Sequence, residues 1–295
     1  MDNRRVFNLN LLLLVTLAFF MNGCTSFKQN MMVNTAKMMR EFGKKSVNRY
    51  PDVEQIRQAM PVMIVQSDMF LEMAPNDPEL LLAAAELNGN YAMFLRETDK
   101  ERAVKYYKKA RDYSLRVLKQ NPVFNEALDK SDEEFIKALQ TLGKDDVPVL
   151  FTLLTSTFGW IGTAQADQPR ALAELTKAEA IIERILVLDE TYKYGGVHVV
   201  NGTYNAARPA MFGGDQEKAK YHFEQALKIS ERKFLLWLVL YAQHYTVRIQ
   251  DRELFVQTLE EVIAAPDNLL PEQNLANEIA KQQAKNLLEE VDDLF

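Results

Sequence analysis

A single cysteine, Cys24, stands in this chain of 295 residues, so no disulfide can close within it and no Cys₂ or Cys₄ zinc site can form. Glycine (11) and proline (10) are too scarce for a β-sandwich full of turns. No Asn-Gly or Asp-Gly dipeptide sits between alternating apolar runs, so the strongest hairpin signal is missing. Positive charge is not in excess either. With 41 acidic against 35 basic side chains, the net charge of −6 argues against nucleic-acid binding, which needs dense Lys and Arg to displace counterions.

The common catalytic signatures are also missing: there is no HExxH, GxSxG, Walker A or GxGxxG. The paired glycines Gly195-Gly196 and Gly213-Gly214 lack the Lys-Ser/Thr that would hold a phosphate and magnesium. His198, His222 and His244 share no local spacing, and the paired carboxylates Glu289-Glu290 and Asp292-Asp293 read as a solvated terminal face. The expectation is therefore a protein that is not an enzyme, with neither metal nor cofactor.

What is present is apolar residue content of 47%, enough for a sizeable core, arranged with helical rather than strand periodicity. At the N-terminus, Arg4 and Arg5 precede an almost unbroken apolar run from Leu9 to Met21, which is short for a bilayer span and reads as a secretory signal. Met21-Asn22-Gly23-Cys24 follows and resembles a bacterial lipobox, with small Gly before the cysteine that would carry palmitate-type acyl chains. The reading is a signal peptide over 1–23, a lipidated N-terminus and tether over 24–50, and a helical domain over 51–295. Acyl chains contribute about 0.8 kcal/mol per buried methylene, so they would hold such a domain at a membrane face. Thr25-Ser26, with no Asp after the cysteine, resembles outer-membrane sorting in a Gram-negative bacterium.

From Pro51 onward, helices follow one another. Over Arg102–Leu118, Ala103, Tyr107, Ala110, Ser114 and Val117 fall on one face, and Pro78–Leu95 supplies an antiparallel partner. Thr98 and Glu101 between them spell a capping box. The helical unit recurs, with anchors at the same spacing in Ala178-x₃-Ile182-x₂-Ile185, Ala219-x₃-Phe223-x₂-Ala226 and Phe255-x₃-Leu259-x₂-Val262. The fold class expected is all-α: a solenoid of helical hairpins resembling degenerate tetratricopeptide repeats, with Leu275–Phe295 as a C-terminal capping helix.

Two segments break the pattern. Val147–Ala164 is a long apolar run holding Pro148, Gly159, Trp160 and Gly162, best read as a buried central helix. Tyr192–Asp215 concentrates five glycines, which points to close backbone approach, to open backbone near a ligand, or to a long inter-repeat turn.

An ordered set of short matches gives these residues a family. They run from Pro78-Glu79-Leu80-Leu81-Leu82-Ala83-Ala84-Ala85 with Tyr91 and Phe94, through Lys109–Leu115, Phe158-Gly159-Trp160-Ile161 and Gly195-Gly196-Val197-His198. Gly202, Tyr204, Pro209, Gly213-Gly214-Asp215, His222-Phe223 and Gln250-Asp251-Arg252 continue the series to Asp293-Leu294-Phe295. Together they resemble the T components of TRAP (tripartite ATP-independent periplasmic) transporters, periplasmic lipoproteins with tetratricopeptide repeats. The resemblance implies an accessory lipoprotein that binds the periplasmic substrate-binding component, with a small hydrophobic or organic-acid ligand as a further expectation. A homo-oligomer is compatible with it. The family supplies no catalytic residues, so the candidate binding residues are the polar and aromatic groups of the two atypical segments: Trp160, His198, Asn201, Tyr204 and Arg208. Arg208 would pair with a carboxylate, and Trp160 and Tyr204 would form an apolar wall. The alternative function is a repeat scaffold lipoprotein for outer-membrane or envelope assembly.

Overall fold

Helix starts are encoded locally. Asp52, Asp77, Asp99, Asn121, Ser131, Asp215 and Asp251 each accept a hydrogen bond from a backbone N–H in the first turn of the following helix. Such a cap is worth about 1 kcal/mol. Pro78 and Pro122 stand directly after two of these caps, where a missing N–H costs nothing. The cap expected at Thr98 is instead Asp99, whose carboxylate accepts from Arg102 N at 3.1 Å. Thr98 N still donates to Leu95 O and belongs to the preceding turn.

The computed structural model describes residues 31–164 and 168–295. Cys24 and the signal peptide expected over 1–23 lie outside the described residues. In chain order the elements are α1 (residues 31–49), α2 (Val53–Met73), α3 (Pro78–Leu95), α4 (Lys100–Leu118), α5 (Pro122–Ala127), α6 (Asp132–Leu139), α7 (Val147–Thr163), α8 (Gln168–Leu172) and α9 (Leu175–Asp189). They continue as α10 (Tyr192–Ala207), α11 (Gln216–Ile229), α12 (Leu235–Tyr241), α13 (Arg252–Ala264), α14 (Asn274–Glu289) and α15 (Val291–Leu294). Among the described residues there is no strand. The fold is all-α, a solenoid of helical hairpins.

Four hairpins carry the architecture: α3/α4, α7/α9, α10/α11 and α12/α13. The anchors read from the sequence hold the same register in each second helix. Ala103, Tyr107 and Ala110 of α4, Ala178, Ile182 and Ile185 of α9, Ala219, Phe223 and Ala226 of α11, and Phe255, Leu259 and Val262 of α13 are all buried. In α4, α9 and α11 alanine at the first position lets the helices approach closely and the larger side chain after it fills the gap, whereas α13 carries Phe255 at that position. The long interval between Ala103 and Ala178 is filled by α5 and α6, whose Phe124 and Phe135 meet edge to face at 5.3 Å. The apolar run at Val147–Thr163 is α7, a buried helix packed on α3, α4 and α9, as its composition indicated.

The stack curves, and the direction follows from its neighbours. The first helices pack on one another in turn, α3 on α7, α7 on α10, α10 on α12, whereas the second helices α4, α9, α11 and α13 stand further apart. First helices therefore line the inside. The expected capping helix is present but breaks at Glu290 into α14 and α15. Helix α14 covers α12 and α13 and also reaches the opposite end of the chain, where Leu275 is buried with Val53, Ile56, Met60 and Ile64 of α2. The inner row thus closes on itself through α2, α3, α7, α10, α12 and α14.

Residues 31–49, assigned on sequence grounds to the tether, are helical. Ala36 is buried against Leu80, Leu81 and Ala84 of α3. Lys37 bridges Asp77 at 2.7 Å and Glu79 at 3.1 Å.

Candidate functional site

Helix α10 opens on an unusual backbone. Lys193 (φ 51°), Tyr194 (φ 57°) and Gly195 (φ 78°) are consecutively left-handed. For the two non-glycine residues this costs about 1–2 kcal/mol each, so neighbouring contacts must hold the turn. Trp237 Nε1 donates to Tyr194 O at 2.9 Å, the Tyr194 ring stacks on Phe234 at 5.1 Å, and Gly195 N donates to Thr191 O at 3.1 Å. The glycine-rich segment is therefore a helix with a left-handed entry followed by a turn; Gly195 and Gly213 hold left-handed backbone, and Gly196, Gly202 and Gly214 serve close approach. A Cβ at Gly196 would lie 2.7 Å from the Phe151 ring, one at Gly202 would lie 2.8 Å from Phe223, and one at Gly214 would overlap the Arg208 carbonyl. Of the readings open for this segment, close backbone approach is the one these positions display.

Helical spacing then brings His198 and Asn201 together one turn apart, and α11 adds His222 opposite them. Asn201 Nδ2 lies 3.0 Å from His222 Nε2, His222 Nδ1 lies 2.9 Å from His198 Nδ1, and His198 Nε2 lies 3.2 Å from Glu190 Oε2. One arrangement of protons satisfies all three contacts with both rings neutral. Asn201 donates to His222 Nε2, His222 donates from Nδ1 to His198 Nδ1, and His198 donates from Nε2 to Glu190. Burial opposes charge on both rings. It holds His198 below the usual histidine range, with Glu190 opposing, and pushes His222 down to about 4 with help from His198 and Lys218.

One further turn along α10, the Arg208 guanidinium lies 3.6 Å above the Tyr204 ring and donates to Glu179 Oε1 at 3.3 Å. The Tyr204 hydroxyl donates to the same carboxylate, and burial and that contact raise its pKa. The carboxylate that meets Arg208 is thus the protein's own Glu179. Phe158 of α7 packs against Tyr204 at 5.1 Å.

Trp160 does not join this group. It is buried between α4 and α7, with Arg111 at 4.7 Å and Lys108 at 5.0 Å from its ring centre, and its Nε1–H has no acceptor among the described residues. The structure therefore gathers His198, Asn201, Tyr204 and Arg208 along α10 and leaves Trp160 in a neighbouring interface.

A second polar group, around the left-handed turn, was not singled out from the sequence. Lys193 Nζ lies 3.9 Å from Glu86 of α3, and Lys44 and Arg40 of α1 reach the same carboxylate at 2.7 and 3.7 Å. These residues come from three helices far apart in the chain, so no local spacing could have linked them. Among the described residues, no group of three or more His, Cys, Asp or Glu side chains could hold a metal ion, and no helix is long and apolar enough to cross a membrane.

Comparison with known proteins adds two findings. The family model described as TAtT, TRAP transporter T-component, matches residues 49–295. The chain is also similar to a protein of Treponema pallidum (strain Nichols) described as uncharacterized. The two are 25% identical over 268 residues, covering 83% of this chain and 80% of that one.

Proposed function

Because the chain belongs to the TRAP transporter T-component family, whose members are accessory parts of these systems on the periplasmic side, we propose that it binds the periplasmic substrate-binding component and takes a small organic-acid ligand. The match over residues 49–295 carries this reading. It spans the whole ring of hairpins, so the family resemblance belongs to the assembled domain rather than to one motif. Curved helical arrays present continuous surfaces wide enough to hold a folded partner. The polar ridge of α10, with Tyr204, Arg208 and Glu179, supplies groups able to exchange an internal carboxylate for a partner's or a ligand's. Acylation of Cys24 would keep the domain at the periplasmic face of a membrane, the outer membrane in a Gram-negative cell.

The test is retention of a TRAP substrate-binding protein from the same organism on the immobilised mature chain, compared with Arg208→Ala and Tyr204→Ala. The wild type should retain it and the variants should retain less. No retention, together with no small molecule in native mass spectrometry, would refute the proposal. Independently, Cys24→Ser should move the protein from the membrane fraction to the soluble fraction; unchanged fractionation would count against the anchor.

A further inference from the structure

Helix α1 is apolar on two sides. One side seats it on the domain: Ala36 is buried against Leu80, Leu81 and Ala84 of α3, and Lys37 and Lys44 bridge Asp77 and Glu86 at 2.7 Å each. These contacts fix the rotation of the helix and turn its other side away from the protein. There Met31, Met38 and Phe42 follow at helical spacing, with Met32 and Met39 beside them. All five side chains are between 52% and 64% exposed. No charge interrupts this stripe from Met31 to Phe42, because Lys37 and Arg40 reach inward to Asp77 and Glu86 and Glu41 lies at its edge. Beyond Phe42 a shallow cleft is lined by Phe42, Lys45, Ser46, Arg49 and Tyr50, which puts two rings and two cations at the end of the stripe. The adjoining helix α2 exposes Val62, Val65 and Met69 in the same way. A monomeric domain rarely leaves so continuous an apolar row in water.

From this geometry we infer that the Met31–Phe42 stripe of α1 lies in the headgroup region of a phospholipid bilayer, so that α1 orients the helical ring on the membrane. The choice of occupant rests on the acyl anchor proposed at Cys24. Seven residues separate Cys24 from Met31, a reach of about 25 Å even when fully extended. An acylated cysteine therefore delivers the stripe to the bilayer surface, and the six residues between hold Lys28 and no acid. The charge agrees with an anionic surface. Residues 31–49 carry five basic side chains and one acidic, in a chain whose net charge is −6. Of these, Lys45 and Arg49 stand at the exposed rim beside Phe42 and Tyr50, where lipid phosphates meet the acyl boundary. Methionine suits the apolar face, since its flexible side chain conforms to a fluid surface. The acyl chains hold the domain near the membrane, and the stripe decides which side of it faces down. Without an acyl chain the contact of α1 is reversible and is lost when lipid is diluted, so Cys24→Ser still releases the protein from the membrane fraction.

The experiment is flotation of residues 24–295 carrying Cys24→Ser, which has no acyl chain, with an excess of vesicles of phosphatidylethanolamine and phosphatidylglycerol. The protein should float with the vesicles. Phe42→Ser should lower its partition roughly tenfold, and Arg49→Gln about fivefold. Both side chains are exposed, so neither change disturbs the core. Met211→Gln, at a side chain 82% exposed in the connection between α10 and α11, should leave the partition unchanged. No flotation at excess lipid, or equal effects of Phe42→Ser and Met211→Gln, would overturn the inference. So would self-association in sedimentation that Phe42→Ser abolishes while no vesicle binding is seen, since the stripe would then join two copies of the chain. The anchor is read separately, from the mass of the cell-derived protein. Acylated Cys24 without flotation of the Cys24→Ser form refutes the inference and leaves the anchor standing; flotation with Cys24 unmodified in cells refutes the anchor and leaves the α1 surface standing.

Discussion

Acidification should loosen the α10–α11 hairpin before it unfolds the rest of the protein. The cause is the chain Asn201–His222–His198–Glu190, which closes only when both rings are neutral. A proton added at His198 Nδ1 would face the Nδ1–H of His222, and one added at His222 Nε2 would face the Asn201 amide donor. Burial pushes the His222 pKa to about 4, against 6.5 for a free histidine. The unfolded chain therefore binds more protons between these values, and stability falls as pH drops from about 6.5 toward 4. At about 1.4 kcal/mol per pKa unit the full displacement would be worth about 3 kcal/mol. The ring is only half-buried, and solvent screening reduces this to about 1–2 kcal/mol. Thermal melts of the wild type and His222→Gln at pH 7.5 and pH 4.5 measure the difference. Glutamine keeps hydrogen-bonding capacity without titrating, so the variant should be less stable at pH 7.5 yet lose less on acidification. His244, which burial and Arg96 also push down to about 4, titrates equally in both proteins and cancels. Parallel losses in the two proteins would refute the reasoning.

Two further perturbations test the packing account. Gly202→Ala places a methyl 2.8 Å from the fully buried Phe223 ring, an overpacking cost of about 1–3 kcal/mol that the better helix propensity of alanine only partly offsets. Its melting temperature should fall by a few degrees, and an unchanged or raised value would contradict the close approach. Asn277 of α14 accepts from Leu235 N at 2.9 Å and donates to Lys233 O at 3.0 Å, tying the C-terminal helix to the start of α12. Asn277→Ala leaves the buried Leu235 N–H unpaired, while the Lys233 carbonyl, on an exposed residue, can turn to water, so about 1–2 kcal/mol of destabilisation is expected in chemical denaturation. A loss below about 0.5 kcal/mol would mean that the tie is not made.

The all-α class and the hairpin register were legible in the sequence because they depend on local periodicity. The anchors at Ala219, Phe223 and Ala226 mark a buried helical face whatever lies opposite. Closure of the inner row was not legible, since Leu275 and Ile56 meet only after every hairpin between them has set its angle. The same limit governs the site. His198 and Asn201 are three residues apart and share a helix face, so singling out their segment found them. His222 and Glu190 enter through hairpin pairing, and Glu179 reaches Arg208 from α9. Arg208, expected to be free for a ligand, has an internal carboxylate that only tertiary structure could reveal. Lys193 lay inside the atypical segment and still escaped notice. Its significance comes from a left-handed backbone at a residue type that does not predict one.

Association with the transporter is measured by titrating residues 24–295 with the purified TRAP substrate-binding protein of the same organism. Saturable binding with fixed stoichiometry is expected at about micromolar concentrations, weakened by Arg208→Ala or Tyr204→Ala. Absence of any association with the binding protein, whether empty or loaded with its organic acid, would contradict it.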